Sequence, residues 1–410
     1  METNIMRIKT DIENIAGFSD TLGNGVTRFS YSENDEGVRK YFISQMQELE
    51  LDILIDGVGN IRGRLQGTDH NQVVMSGSHI DTVLNGGKFD GVTGAVAALE
   101  VIRVIKENHV QTKHPIEIIL FAEEEGSNFG STMTGSKSLM GEYTVEDFKK
   151  LKNHKGLAMY DVLKNFGLNP DDMPNHLLNP KEVKAMIELH IEQSTVLDTE
   201  KIPIGIVEKI AGMRTIKVVL KGVGNHAGAA PMRLRKDALV AASQMILTIK
   251  HIAEKECSQS TVATVGKIEC YPNVSNIIPE TTSFTIDVRD VDFAQIEYFT
   301  KRFHEAIKTM SDEYGLNYEI EIIAESKGIQ LGEKIINTIK KAAEEKNIPY
   351  KSMNSGAVHD ACLLGKYLDA GMIFVPSING RSHVPEENTP FEDIKLGCDV
   401  LLASILELAK

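Results

Sequence analysis

The chain has 410 residues, 42% hydrophobic and 25% charged, enough for two domains with cores of their own and ordinary for a globular protein. Its 44 basic side chains against 58 acidic ones leave a formal charge of −14, which disfavours a nucleic-acid surface and favours a small-molecule substrate. Cys257, Cys270, Cys362 and Cys398 are too scattered for a thiolate zinc site or a disulfide framework. No stretch reaches the about 20 apolar residues of a membrane span. The charged opening METNIMRIKTDIENIAG lacks an apolar signal core, so a cytoplasmic location with no membrane contact is expected.

From Thr10 to Gly67 the pattern reads as helix, loop, a second helix over Glu36–Leu49, and a strand pair around Asp52–Ile55 and Gly59–Leu65. The stretch VVMSGSHIDTVLNGGKFDGVTG then brings a buried strand, ending at Ser76–Ser78, against a polar, glycine-rich segment. His79 and Asp81 stand two apart, which in extended chain places both on one face, with the carboxylate within reach of a ring N–H. Asp90 opens the apolar-periodic helix of GVTGAVAALEVIRVIKEN. A histidine beside an aspartate is more often structural than metal-binding, so the reading depends on the rest of the chain.

A second strand, Ile116–Ala122, runs straight into Glu123, Glu124 and Glu125. Strand, helix and strand in this order predict a mostly parallel sheet. Three glutamates in a row are ordinarily a solvated patch; their place directly after ILFA argues otherwise. The polar segment Thr144–Pro180 is expected to wrap the surface. AMIELHIEQ gives a further strand terminating at His190, which alone could be a satisfied core histidine. From Gly212 the order becomes strand Arg214–Leu220, helix Lys236–Glu256, strands Val262–Glu269 and Thr281–Val288, helix Phe293–Glu313, and strand Tyr318–Ile323. This is the split β-α-β arrangement of an inserted α+β domain. The expected division is 1–212 with 327–410 for an α/β catalytic domain, and 213–326 for the insert. Helix Gly332–Glu345, a strand around Met372–Val375, the loop PSINGRSHVPEENTP with His383, and helix Ile394–Leu408 complete the first domain.

His79, Asp90, Glu125 (or Glu124), His190 and His383 each stand at or beyond a strand end or at a helix start, where open α/β sheets gather ligands. Histidines and carboxylates without thiolates suit two divalent ions bridged by one carboxylate, zinc first, with manganese, cobalt or nickel as alternatives.

The motifs GSHIDTVLNGGKFDGVTG, EEEGSNFG, ELHIEQ, NHAGAAPM, SNIIPE and SINGRSH together resemble the hydantoinase/carbamoylase branch of the dinuclear metallo-aminoacylase and carboxypeptidase clan, over essentially the whole chain. The resemblance implies one metal held by His79, Asp90 and His190 and another by Asp90, Glu125 and His383. It also implies Asp81 orienting His79, and Glu124 as general base. It further implies that the insert forms a homodimer and closes as a lid, with His226 reaching the partner's site to steady an oxyanion. Gln193, Asn276 and Arg289 would hold the carboxylate and ureido groups of a small substrate. On sequence alone His226 reads better as a turn histidine, and Arg289 as a surface ion pair.

Two departures stand out: Val358 in SGAVHDA where the family pattern has glycine, and Ala229–Ala230 where it has two threonines. Arg381 is either a second cation for an acidic substrate or a solvated loop residue. The activity implied is hydrolysis of an N-carbamoyl-L-amino acid at its ureido C–N bond, giving ammonia and carbon dioxide. Allantoate or 3-ureidopropionate is the alternative substrate. A metallo-aminopeptidase or aminoacylase, and a binding protein without catalysis, are the rival classes.

Overall fold

The computed structural model describes residues 1–410, which pack into two compact units. The larger contains Met1–Glu208, Gln330–Ser355 and His359–Lys410; the smaller contains Lys209–Ile329 and Gly356–Val358.

At the centre of the larger unit four strands run parallel: β1 (Val73–His79), β2 (Ile116–Phe121), β3 (Val183–Ile191) and β4 (Ala370–Val375), in the order β2-β1-β3-β4. Antiparallel strands flank them, Ile61–Leu65 and Asp52–Ile55 beyond β2, and Ile204–Ile210 beyond β4. The protein is therefore a mixed α/β fold whose sheet is parallel where the polar strand ends lie. Every residue of β1, β2 and β4 is buried, as strands covered on both faces require. Close packing also selects composition within β1: a Cβ on Gly77 would stand 1.7 Å from the carbonyl oxygen of Ile119. The serines on either side bond inward, Ser76 Oγ to the Ile187 carbonyl at 2.8 Å and Ser78 Oγ to Glu188 at 2.7 Å.

Helix α1 (Val92–Glu107) is apolar nearly all round because it lies between the sheet and the helices Ile5–Ala16 and Phe391–Leu408. The strand β1 runs through His79 rather than stopping at Ser78, and the first helix begins at Ile5, ahead of Thr10. Two strands longer than two residues escape the sequence reading, Ile204–Ile210 and Tyr350–Ser355. The second, Tyr-Lys-Ser-Met-Asn-Ser, is half-buried or exposed except at Ser355 and has no apolar face, so its pattern carries little strand signal.

The smaller unit has the element order strand, helix, strand, strand, helix, strand, on an antiparallel sheet of Gly212–Lys221, Val262–Tyr271, Thr281–Asp290 and Asn317–Ser326. Alternate residues Ile216, Val218 and Leu220, with Phe284, Ile286 and Val288, face Phe299, Phe303 and Ile307 of helix Phe293–Tyr314 and Met245 and Ile249 of helix Ala238–His251.

Candidate metal centre

The site of the larger unit lies beyond the carboxyl ends of β1 to β4. β1 ends in His79, and the chain crosses a glycine-rich loop to Asp90 and Gly91, the cap of α1. Gly91 has φ +64°, and a Cβ there would meet the His79 ring at 2.5 Å, so only glycine lets the helix start so close to the imidazole. β2 leads through Ala122 into the three glutamates, β3 carries His190 one residue from its end, and the loop after β4 carries His383.

Asp90 is the shared partner. Its Oδ1 lies 3.1 Å from His190 Nε2 and 4.0 Å from His79 Nε2, while its Oδ2 lies 2.9 Å from His383 Nε2. Glu125 Oε1 lies 3.6 Å from the same His383 nitrogen. Two donor sets result, His79–Asp90–His190 and Asp90–Glu125–His383, each with its ligand atoms within 4.8 Å of one another. The first set is wholly buried; in the second the His383 side chain is 47% exposed.

The hydrogen-bond pattern tests whether a cation fits. His79 Nδ1 faces the carbonyl of Asp81 at 3.1 Å and His190 Nδ1 that of Ile191 at 2.9 Å. A neutral ring must carry its proton on the nitrogen that faces a carbonyl, so each Nε2 lone pair points inward at carboxylate oxygen. Buried Asp90 Oδ1 and Glu125 Oε1 have no hydrogen-bond donor. Acceptors confronting acceptors call for a positive charge between them, from a proton or a metal ion, and the hard nitrogen and oxygen donor set fits a divalent ion. The proton affinities of the cluster follow the same excess of negative charge. Burial, then the Asp90 charge, pushes the Glu125 carboxyl up to about 8. The Asp90 hydrogen bond lifts His383 to about 9 against burial, and the carboxylates Glu124, Asp81 and Asp90 raise His79 in spite of its own burial.

Glu124 is buried with Oε2 3.9 Å from His79 Nε2, and burial raises its carboxyl well above the ordinary range, opposed by His79. The Asp81 carboxylate stands 3.7 Å from His79 Nδ1, an ion-pair distance, while the Asp81 carbonyl meets the same nitrogen at 3.1 Å. The carboxylate accepts the backbone N–H groups of Glu124 (3.2 Å) and Glu125 (3.1 Å), because the turn after β2 leaves those two amides without strand partners. Glu123, the third of the run, turns away, its Oε1 accepting the amides of Asn128 (3.1 Å) and Phe129 (2.9 Å).

Gln193, at φ +58°, donates from Nε2 to Asp90 Oδ2 at 3.0 Å and also stands 3.3 Å from His383 Nε2. Arg381 pairs with Glu386 at 3.0 Å in solvent. His226, Asn276 and Arg289 belong to the smaller unit. His226 is exposed, and its Nδ1 accepts the amides of Gly228 (3.0 Å) and Ala229 (3.1 Å), which leaves Nε2 as the outward donor of the neutral ring. Asn276 adjoins it, its carbonyl taking the Ala227 amide at 3.0 Å. Arg289 forks onto Asp287 at 2.8 and 3.2 Å and gives Nη1 to the Gly356 carbonyl at 3.0 Å.

Sequence reasoning missed a buried layer behind these groups. Glu188 receives Ser78 Oγ and the Ala361 amide, the His359 ring stacks edge-on against His190 at 4.5 Å, and Asp360 takes Ser136 Oγ at 2.5 Å. Glu188, His190 and His359 also meet the spacing of a metal-binding group. Glu188 inside ELHIEQ alternates with His190 and so shares its face, a signal that was available. Glu387, in the His383 loop, gave none, since its neighbour Glu386 has the same composition around it.

A part-parallel sheet with a shared-carboxylate cluster of imidazoles and acids on its carboxyl rim defines a mixed α/β protein with candidate metal-binding groups at the sheet's edge. The chain belongs to peptidase family M20/M25/M40, whose model matches residues 75–407, and within it to the hydantoinase/carbamoylase branch. The chain is 38% identical over 404 residues to an N-carbamoyl-L-amino-acid amidohydrolase of a Pseudomonas species, covering 98% of this chain and 97% of the relative. It is 36% identical over 397 residues to the allantoate amidohydrolase of Escherichia coli, covering 96% of each. Among solved structures, a hydantoinase/carbamoylase family amidase from Burkholderia multivorans superposes with a TM-score of 0.92 at 30% identity, covering 100% of this chain and 98% of that one. The family is metal-dependent.

Proposed function

We propose that the protein hydrolyses the ureido C–N bond of N-carbamoyl-L-amino acids, releasing ammonia, carbon dioxide and the free amino acid. The chain is an amidohydrolase of the M20 family, acting on non-peptide C–N bonds. The metal-assisted chemistry rests on the pair of donor sets sharing Asp90, and the carbamoyl substrate is supported by the 38% identity to an N-carbamoyl-L-amino-acid amidohydrolase. In this reading His79, Asp90 and His190 hold one divalent ion and Asp90, Glu125 and His383 a second, zinc in both. When bound, the ions supply Lewis-acid polarisation of water and of the carbamoyl oxygen.

The remaining chemistry falls to side chains. Glu124, buried and raised in proton affinity, takes a proton from the attacking water and returns it to the departing nitrogen. His226, with Nε2–H free to donate, steadies the oxyanion. Gln193, Asn276 and Arg289 bind the carboxylate and ureido groups, and Asp81 fixes the Glu124–Glu125 turn. The smaller unit forms a homodimer and a lid.

Allantoate is the second reading, supported by the Escherichia coli relative at 36% identity. Ammonia release from N-carbamoyl-L-amino acids, allantoate and 3-ureidopropionate, with free amino-acid release measured for a dipeptide, tests both. Turnover of the dipeptide alone would sink the ureido reading, and a higher kcat/KM for allantoate would select the second.

A further inference from the structure

We infer that Glu387 is a positioning residue that holds the two sides of the centre in register, Asp90 through its backbone and His383 through Ser382; this rests on Asp90 and His383 being ligands, as proposed above. Glu387 is 5% exposed. Its Oε1 accepts the backbone N–H of Phe89 at 2.9 Å and of Asp90 at 3.1 Å, and its Oε2 accepts Ser382 Oγ at 2.8 Å. One carboxylate thus ties the start of α1 to a loop almost 300 residues later. Room for it is made by Gly87, where a Cβ would fall 2.0 Å from Glu387 Oε1.

His383 needs such support more than the other donors. His79 and His190 sit in strands, with Nδ1 fixed by a carbonyl. His383 lies between β4 and the last helix, at φ +59° and nearly half exposed, with only a short turn at Ile378–Gly380 for local structure. The covalent neighbour bonded to Glu387 is therefore what sets the height of its ring over Asp90; Ser382 Oγ itself stands 3.5 Å from Asp90 Oδ2. Three donors converge on the two carboxylate oxygens. An amide in place of the carboxylate could keep both backbone N–H groups on its oxygen, but its NH2 would reverse the Ser382 bond and turn the hydroxyl proton away, so the disturbance falls on the His383 side. Glu386, one residue before, points into solvent and pairs with Arg381, so only one of the two glutamates has this role.

The test is calorimetric titration of metal-free enzyme with zinc, using wild type, Glu387→Gln, Ser382→Ala and, as reference for the second ion, His383→Ala. Wild type is expected to bind two ions. Glu387→Gln should keep one at wild-type affinity and weaken the other by about 10–100-fold, the usual effect of losing a partner behind a ligand. Ser382→Ala leaves both amide bonds to Glu387 intact and should weaken the same ion, the one that His383→Ala removes. Wild-type affinity for both ions in either variant would overturn the inference. So would equal weakening of both ions with a lowered Tm, the mark of a merely structural role. Absence of zinc binding by wild type would instead remove the metal reading on which the inference stands.

Discussion

Asp81 and Glu125 are joined by a 3.1 Å bond from the Glu125 amide to Asp81 Oδ2, and the partner oxygen takes the Glu124 amide at 3.2 Å. The side chain two residues after a candidate metal-binding histidine therefore fixes the turn that carries both a proposed base and a proposed ligand. Asp81→Ala would leave the buried Glu124 amide and the part-buried Glu125 amide unpaired, at up to about 1–3 kcal/mol each, and would let Glu124 drift from the centre. Urea unfolding should show that loss, and kcat should fall with it. Asp81→Asn, keeping one carbonyl acceptor, should fall between wild type and alanine in both. Equal stability of all three proteins would mean that water satisfies the turn.

Glu124→Gln retains size and hydrogen bonding but cannot hold the transferred proton. Its kcat is expected to drop by about 10²–10⁴-fold, with zinc content and Tm as in wild type. Turnover within a few-fold of wild type would assign the proton transfer to another group.

Gly77→Ala should be among the most damaging small substitutions in the chain. The added methyl would lie 1.7 Å from the Ile119 carbonyl oxygen, and neighbouring strand backbone cannot give way cheaply. Overpacking of this kind costs about 1–3 kcal/mol and sometimes more. Gly266→Ala, in a strand of the smaller unit with nothing within 4 Å of the new Cβ, is the control. It should change stability by no more than about 0.5 kcal/mol. Urea midpoints of the two variants check the contrast.

Asp360 gives a pH dependence of defined sign. Burial, then the Glu188 charge, pushes its carboxyl from 3.8 up to about 8. Between about pH 4 and pH 8 the folded chain keeps a proton that the unfolded chain releases, so this group's contribution to stability is lost as pH rises through that window. Asp360→Asn removes the titration while its side-chain oxygen can still accept Ser136 Oγ. In chelator, the stability of the variant relative to wild type should therefore increase from pH 5 to pH 8. Parallel curves would place the proton elsewhere.

By itself the sequence determined the framework. Apolar runs such as IEIILF and AMIEL mark buried strands whatever surrounds them, and the first polar residues after them must lie at the rim of the sheet, which is why His79, Glu125 and His190 could be picked out. The alternation in the smaller unit marked its elements in the same way. Tertiary structure alone decided what carries no local period: the strand Tyr350–Ser355, the Asp81 carboxylate bonded to the Glu124–Glu125 amides, and Glu387 buried while Glu386 meets solvent. The physical reason is that hydrophobic pattern encodes which face is buried, a property of neighbours in sequence. The partner of a polar side chain is set by whichever unpaired amide or hydroxyl the fold delivers, here from segments up to almost 300 residues away.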